Sequence, residues 1–165
     1  MSVKFTNSRK EPPKPEWPKF YDRVILLVRD PFDTLLAEFN RRKTENHTGL
    51  ANLKEFQTKN WIHYVENQSE WWKGFYKFFM ENYQPSQLHI VQYEHLKTNL
   101  TGELQAMMDF LNFGHLQNSD CILAKKQGKN KRPKPKVDLR QFFSPAQTNL
   151  VNILKDYTYD KLSIK

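Results

Sequence analysis

A run of five apolar residues, VILLV at positions 24–28, leads without a break into Arg29-Asp30-Pro31 and then into an amphipathic segment. Such a run, rich in β-branched residues, is typical of a strand that is covered on both faces, as in a parallel sheet. Asp30 is placed to cap a following helix, and Pro31 fits the first turn of that helix. The sequence therefore predicts a buried strand that feeds directly into a helix, with an arginine at the junction.

The rest of the chain predicts further helices and a second strand. Helical periodicity covers residues 53–83, which we interpret as two helices with a break near residues 67–69. LHIVQY, at residues 88–93, predicts the second strand. The other predicted helices, with the residues expected to face inward, are the helix after Pro31 (Leu35, Leu36, Phe39), residues 99–113 (Leu100, Leu104, Met107, Met108, Leu111) and residues 145–157 (Leu150, Ile153, Leu154). This order of elements predicts an α/β domain with a parallel sheet.

The small number of strands limits what the domain can be. Two strands alone do not form a stable parallel sheet, because both faces and both edges need cover. We therefore expect residues 20–165 to be the C-terminal part of a domain that is incomplete at its N-terminus. Residues 1–19 form a polar segment rich in Pro and Lys, in which SVKFTN at residues 2–7 is interpreted as a remnant of a preceding strand.

Positive charge is concentrated late in the chain. The 26 Lys and Arg residues against 18 Asp and Glu residues give a formal net charge of +8. KKQGKNKRPKPK, at residues 125–136, holds seven basic residues and no acid. This run predicts an anionic partner, and one hypothesis is a module that binds polyanions such as heparan chains or nucleic acid. The single cysteine, Cys121, excludes an intrachain disulfide framework and a Cys-rich zinc site.

Signals for cellular location point in different directions. Residues 1–20 contain neither a signal peptide nor a membrane-spanning helix. Three N-x-S/T sequons, which begin at Asn46, Asn67 and Asn99, fit a lumenal protein that has lost its N-terminus. A cytoplasmic protein with chance sequons fits the same observations, so the residues leave the compartment open.

Arg29 is the main candidate for a binding residue. A strand that feeds a helix through a short turn presents free backbone N–H groups at the carboxyl edge of the sheet, where ligands of open α/β sheets bind. The guanidinium fork of an arginine at that position matches the oxygens of a phosphate group. The alternative is that Arg29 pairs with Asp30 or Asp33 and only closes the turn.

Three stretches, in order, resemble sulfotransferases that use 3′-phosphoadenosine 5′-phosphosulfate (PAPS), and most closely the WSC-domain-containing sulfotransferases. ILLVRDPFDTLLAEFNRR resembles the strand–loop–helix that binds the 3′-phosphate. VQYEHLKTNLTGELQAMMDFL resembles the Tyr-Glu-x-Leu strand end with its following helix, and CILAKKQGKNKRPKPK resembles the late basic loop over the nucleotide. The resemblance implies the P-loop-like sulfotransferase fold, a parallel sheet flanked by helices. It also implies PAPS as the sulfonate donor and no metal.

The resemblance assigns nucleotide-binding roles to single residues. Arg29 matches the arginine that grips the 3′-phosphate, and Tyr93 matches a tyrosine near the adenine. Lys126 and Gly128 resemble the basic turn over the 3′-phosphate, and Arg132 is a further candidate in the same loop. A core tyrosine at a strand end is the alternative for Tyr93, and a solvated basic loop is the alternative for the others.

Two further positions also follow from the resemblance. Many sulfotransferases place a serine eight positions after the arginine, where its hydroxyl bonds the same phosphate, and this chain has Ala37 there. The 3′-phosphate grip is therefore expected to rest more heavily on Arg29. Glu94 is expected to hold its loop together rather than to perform chemistry.

Two features of the family have no match in these residues. The Gly-rich phosphosulfate loop that precedes the arginine strand is absent, and residues 2–7 offer Phe5 and Thr6 where the catalytic histidine is expected. We therefore expect this chain alone to be inactive, with the catalytic base unknown. The complete enzyme is expected to transfer a sulfonate to a hydroxyl of a carbohydrate or glycoprotein in the Golgi lumen, without a nucleic-acid partner. A membrane anchor is expected in full-length relatives but not in this chain, and the alternatives are an inactive homologue kept for protein contacts or the polyanion-binding module.

Overall fold

The computed structural model describes residues 21–115, 119–124 and 133–164. The elements in chain order are β1 (Val24–Val28), α1 (Pro31–Thr44), a 3₁₀ turn (Leu53–Gln57), α2 (Lys59–Asn82), a 3₁₀ turn (Pro85–Gln87), β2 (Leu88–Gln92), α3 (Tyr93–Thr98), α4 (Leu100–Phe110), α5 (Ser119–Ala124), a 3₁₀ turn (Leu139–Phe142) and α6 (Pro145–Lys161).

β1 and β2 pair in parallel, as predicted. The register aligns Val24 with Leu88 and Val28 with Gln92, so the carboxyl ends of both strands meet at one edge of the sheet. α1 and α2 lie between the two strands in the chain and form the crossover that a parallel pair requires. The α/β class is therefore confirmed. β2 ends one residue earlier than predicted, because Tyr93 already belongs to α3.

The start of α1 has the predicted cap. Asp30 Oδ1 accepts hydrogen bonds from the backbone N–H groups of Phe32, at 3.0 Å, and Asp33, at 3.3 Å. A proline occupies the first turn, and the helix buries Leu35 and Phe39 on its inner face. A cap of this kind contributes about 0.5–2 kcal/mol to stability, so the direction in which the chain leaves β1 is locally fixed.

The buried apolar side chains form two clusters. The first cluster joins α1, α2, α6 and the 3₁₀ turns at Leu53–Gln57 and Leu139–Phe142, and its members are Phe32, Leu35, Phe39, Phe56, Trp61, Val65, Leu139, Phe143 and Val151. The second cluster joins β1 to α2, and its members are Leu26, Val28, Trp72 and Tyr76. Since α2 supplies residues to both clusters, this helix connects the sheet to the rest of the core.

α2 is one continuous helix of 24 residues, so the predicted break near residues 67–69 is wrong. The polar residues at that point suggested a helix end. Ser69 is instead buried, and its hydroxyl donates to the carbonyl of Val65 at 2.6 Å, which a helix interior accommodates. The polar stretch therefore marks the point where a different face of α2 becomes buried, and it does not end the helix.

α6 begins with a capping box at Ser144 and packs against α2. The inward prediction for Ile153 is wrong, because its side chain is 57% exposed. Leu154 is buried as predicted, Val151 is buried although it was not predicted, and Leu150 is half-buried. Packing against α2 decides which of these residues is buried. The helix predicted at residues 99–113 is present as α4, but it ends at Phe110, and its five predicted inward residues are only half-buried.

Candidate functional site

Arg29 lies at the edge of the sheet where the two strands end, directly after β1. Its Nε atom is buried and has no hydrogen-bond partner among the residues that the structure describes. A buried donor without a partner costs about 1–3 kcal/mol, and native proteins contain few of them. Arg29 therefore keeps hydrogen-bonding capacity that no described residue uses.

The acids near Arg29 are occupied by other cations. Arg140 donates from Nη2 to Asp33 Oδ1 at 2.8 Å and to Asp30 Oδ1 at 3.3 Å. Lys155 Nζ lies 2.7 Å from Asp30 Oδ2. The turn after β1 is therefore closed by Arg140 and Lys155, and the described residues show no ion pair between Arg29 and either acid.

Tyr93 is the neighbour of Arg29 across the end of the sheet. The Cζ atom of Arg29 lies 4.7 Å from the centroid of the Tyr93 ring. Lys97, one turn further along α3, places its Nζ 4.9 Å from the same centroid. Contacts of this geometry are cation–π interactions, worth about 0.5–2 kcal/mol each. The structure thus brings the two predicted site residues together and adds a second cation beside them.

Two further contacts fix the end of β1, and both involve side chains from other elements. The hydroxyl of Tyr76 on α2 donates to the carbonyl of Leu27 at 3.1 Å. Burial raises the pKa of Tyr76, although a hydrogen bond with the Arg29 backbone partly lowers it. Glu94 Oε1 accepts from the backbone N–H of Asp30 at 3.3 Å, which ties α3 to the start of α1.

Sequence reasoning missed Tyr76 and Arg140. Tyr76 sits in a helical stripe of aromatic residues. Its hydroxyl was the available signal, since a buried tyrosine usually finds a hydrogen-bond partner. Arg140 meets its partners across 107 and 110 residues of chain, and no local pattern indicates such a pairing.

A cleft of about 210 Å³ opens beside Arg29. It is lined by Arg29, Asp33, Leu36, Ala37, Asn40, Leu50, Pro135 and Leu139. Arg29 and Ala37, the position where many sulfotransferases carry a serine, therefore face the same space. Asn40 is a fixed part of the lining, since it is buried, donates to the Leu36 carbonyl at 2.8 Å and accepts from the Ala51 N–H at 2.7 Å.

The predicted binding residues of the basic loop, Lys126, Gly128 and Arg132, lie outside the described residues. The segment that follows them reaches the cleft, because Pro135 and Leu139 line it. Leu139 is also buried in the first cluster. The downstream end of the basic run is therefore anchored beside Arg29.

The described ranges contain neither a cluster of metal-binding side chains nor a membrane-spanning helix. No group of three or more His, Cys, Asp or Glu side chains in these ranges is placed to hold a metal ion. Within the same ranges, no helix has both the length and the apolar character needed to cross a bilayer.

A family model and curated proteins both match this chain. Residues 21–146 match the family model described as the sulfotransferase domain. A WSCD family member from Aedes aegypti is 32% identical over 148 residues, which cover 86% of this chain and 45% of that protein. A WSCD family member from Drosophila melanogaster is 33% identical over 118 residues, which cover 69% of this chain and 37% of that protein.

The chain thus spans less than half the length of these curated relatives. No solved structure matches it. The family model covers most of the chain, from just before β1 to the first residues of α6. The resemblance read from the strand–loop–helix motif is therefore confirmed: this chain belongs to the sulfotransferase domain family, and WSCD family members are among its relatives.

Proposed function

We propose that this domain binds the 3′-phosphate of PAPS in the cleft beside Arg29, and that the protein transfers a sulfonate from PAPS to an acceptor hydroxyl. The observation that carries the proposal is the side chain of Arg29, which lines the cleft and has a buried Nε without a partner. A phosphate in the cleft would give this guanidinium a charge-assisted, bidentate partner. No other described contact of Arg29 competes for the fork, because Tyr93 meets it through a ring face.

The surroundings of Arg29 support a positioned binding group. Its guanidinium rests on Tyr93, and the backbone on either side is held by Tyr76 and Glu94. A side chain held in place before binding loses less conformational entropy when the ligand arrives. Ala37 adds a methyl group and no hydroxyl to the cleft, so Arg29 carries most of the proposed phosphate contact.

The remaining nucleotide contacts stay predictions. Tyr93 is proposed as a neighbour of the adenine as well as a support for Arg29. Lys126, Gly128 and Arg132 are proposed to close over the 3′-phosphate. Arg132 precedes Pro135, which lines the cleft, by three positions.

The proposed reaction is an in-line transfer. The acceptor oxygen forms a bond to sulfur while the bond between sulfur and the bridging phosphate oxygen breaks. The hydroxyl proton passes to a base, and adenosine 3′,5′-bisphosphate is released. The residues described above bind and orient the nucleotide. Because these 165 residues contain no Gly-rich phosphosulfate loop and no assigned base, we propose that this chain alone binds the nucleotide without turnover.

The acceptor class and location are proposed from the family resemblance. We propose a hydroxyl of a carbohydrate or glycoprotein as the acceptor, in the Golgi lumen. A second function, binding of a polyanion by residues 125–136, has one supporting observation. Lys134 and Lys136, at the end of that run, are exposed to solvent, and exposed lysines are available to an extended anionic polymer.

The test compares two nucleotides that differ by the 3′-phosphate. Adenosine 3′,5′-bisphosphate should stabilise the protein against thermal unfolding, and AMP should do so far less. At a ligand concentration about 100-fold above the dissociation constant, the gain should be about 2.7 kcal/mol. Arg29→Ala should remove about 1.5–3 kcal/mol of bisphosphate binding, and Arg29→Lys should recover part of it, because an ammonium keeps the charge without the fork.

Arg42→Ala is the matched control. Arg42 also lies on the α1 side of the molecule, but its Nε bonds Glu38 at 2.7 Å and it does not line the cleft. Its loss should leave the difference between the two nucleotides intact. Equal stabilisation by bisphosphate and AMP, or an unchanged difference in Arg29→Ala, would overturn the proposed function.

A further inference from the structure

The cleft beside Arg29 contains a group that opposes the proposed ligand. Among the described residues that line it, Arg29 is a cation and Asp33 is an anion. A free carboxylate beside a phosphate dianion repels it, because like charges in a partly desolvated site interact strongly. A cleft that binds the 3′-phosphate therefore needs the charge of Asp33 to be cancelled.

Arg140 meets this need from outside the cleft. Its Nη2 lies 2.8 Å from Asp33 Oδ1, and Arg140 itself is not among the residues that line the cleft. The same Nη2 reaches Asp30 Oδ1 at 3.3 Å, and Lys155 neutralises the other oxygen of that carboxylate at 2.7 Å. Both acids at the start of α1 are thus paired with cations that come from the C-terminal part of the chain.

The position of Arg140 is fixed by its own segment. Asp138 Oδ1 accepts from the backbone N–H of Arg140 at 2.9 Å. Leu139 and Phe143, on either side, are buried in the first cluster. The guanidinium carbon lies 5.5 Å from the centroid of the Phe32 ring. Arg140 is therefore held against the start of α1 by packing as well as by charge.

We infer that Arg140 is a specificity-determining residue, which lets the cleft accept a dianionic phosphate by neutralising Asp33 without touching the ligand. This inference rests on the proposed function, since it concerns the same cleft. The pair is partly exposed, with side-chain exposures of 48% for Arg140 and 34% for Asp33. Exposed pairs contribute little to folding, so variants of either residue should remain folded.

The experiment is a double-mutant cycle measured by calorimetry with adenosine 3′,5′-bisphosphate and with AMP. Arg140→Gln should weaken bisphosphate binding about tenfold at low salt, because Asp33 is then uncompensated. AMP binding should change far less. Asp33→Asn should bind the bisphosphate as well as or better than the unchanged protein. The double variant Asp33→Asn/Arg140→Gln should recover binding to within about threefold, because the neutral amide no longer needs a counterion.

Glu38→Gln and Arg42→Gln provide the matched control pair. These residues form an ion pair at 2.7 Å further along α1, and neither lines the cleft. Neither change should alter the preference for bisphosphate over AMP. The loss in Arg140→Gln should also shrink as salt rises, since screening weakens the repulsion from Asp33.

The outcomes separate the inference from the proposed function. If the unchanged protein does not distinguish bisphosphate from AMP, the proposed function is wrong, and the inference falls with it. If the unchanged protein distinguishes them but Asp33→Asn fails to rescue Arg140→Gln, then Arg140 acts only through packing, and the inference alone is wrong. Rescue by Asp33→Asn supports the inference, because a purely structural loss would persist in the double variant.

Discussion

The guanidinium carbon of Arg29 lies 4.7 Å from the centre of the Tyr93 ring, and the two residues directly follow the paired strand ends Val28 and Gln92. The parallel register is what brings them together, although 64 positions separate them in the chain. Tyr93 thereby provides an aromatic surface under a cation whose Nε has no described partner.

Replacing Tyr93 tests this support. Tyr93→Leu should weaken binding of adenosine 3′,5′-bisphosphate by about 0.5–2 kcal/mol, because the cation–π contact with Arg29 is lost. Tyr93→Phe should bind nearly as well as the unchanged protein, since the ring remains. Calorimetric titration measures both affinities. If Tyr93→Phe loses as much as Tyr93→Leu, the phenol hydroxyl and not the ring face is the important group.

Ala37 offers a gain-of-binding test. Ala37→Ser would place a hydroxyl in the cleft that Arg29 also lines, and it should tighten bisphosphate binding by about 0.5–1.5 kcal/mol. Ala37→Val adds volume without a donor and should weaken it. Affinity for AMP should stay unchanged in the serine variant. A serine variant with no gain for the bisphosphate would argue that the 3′-phosphate lies elsewhere.

Tyr76→Phe should lower the free energy of unfolding. The change removes the hydrogen bond that the Leu27 carbonyl receives at 3.1 Å, and a hydrogen bond of this kind contributes about 0.5–1.5 kcal/mol to stability. Tyr157→Phe is the control, because Tyr157 is 38% exposed and water can replace its contacts. Urea denaturation measures both variants, and equal stabilities would show that the Tyr76 hydroxyl has no structural role.

Glu38 should make stability depend on pH. Burial alone would raise the pKa of Glu38, but hydrogen bonds and charges of Arg41 and Arg42 outweigh it and hold the pKa below its ordinary value. A carboxyl group with a lowered folded-state pKa stabilises the fold above its unfolded-state pKa. That contribution is lost as the pH falls through the lowered folded-state value.

Glu38→Gln measures this contribution. At neutral pH the variant should be less stable than the unchanged protein by about 0.5–1 kcal/mol, the usual range for a partly exposed pair. The difference should vanish at acidic pH, where the glutamate is protonated in both states. Denaturation curves at several pH values provide the comparison, and a difference that persists in acid would assign the loss to packing.

Polyanion binding should depend on salt and on the basic run alone. If residues 125–136 bind heparin or duplex DNA, affinity should fall steeply with salt, because each anionic contact releases counterions. Replacing Lys125, Lys126, Lys129, Lys131 and Arg132 by Ala should abolish it, whereas Arg29→Ala should hardly change it. Heparin chromatography at graded salt measures this, and binding that is insensitive to salt would exclude the second function.

The parts of the fold that depend on residues close together in the sequence were predictable. The apolar run, the acid and the proline after Val28 determine a strand, a cap and a helix within ten positions, and the structure has all three. For the same reason, the sequence predicts that Arg29 lies at the junction of the strand and the helix. The motif order was sufficient to indicate the family, because each stretch carries its own local pattern.

The parts that depend on packing were not predictable. The polar residues around Ser69 look like a helix end in the sequence, and only the partner surfaces show that the helix continues. Ile153 and Val151 are equally apolar, and contact with α2 decides which of them is buried. The pairing of Arg140 with Asp33 needs the whole fold, since 107 positions separate the two residues.

The length of α2 has a consequence for how the protein unfolds. At about 1.5 Å per residue its 24 residues form a rod of about 36 Å, with Trp61 in one cluster and Tyr76 in the other. Both clusters therefore depend on the same helix for part of their packing. Amide protons near Ser69 should therefore exchange with solvent only when the whole domain unfolds. The cleft beside Arg29 shares Leu139 with the first cluster, so its shape depends on α2 as well.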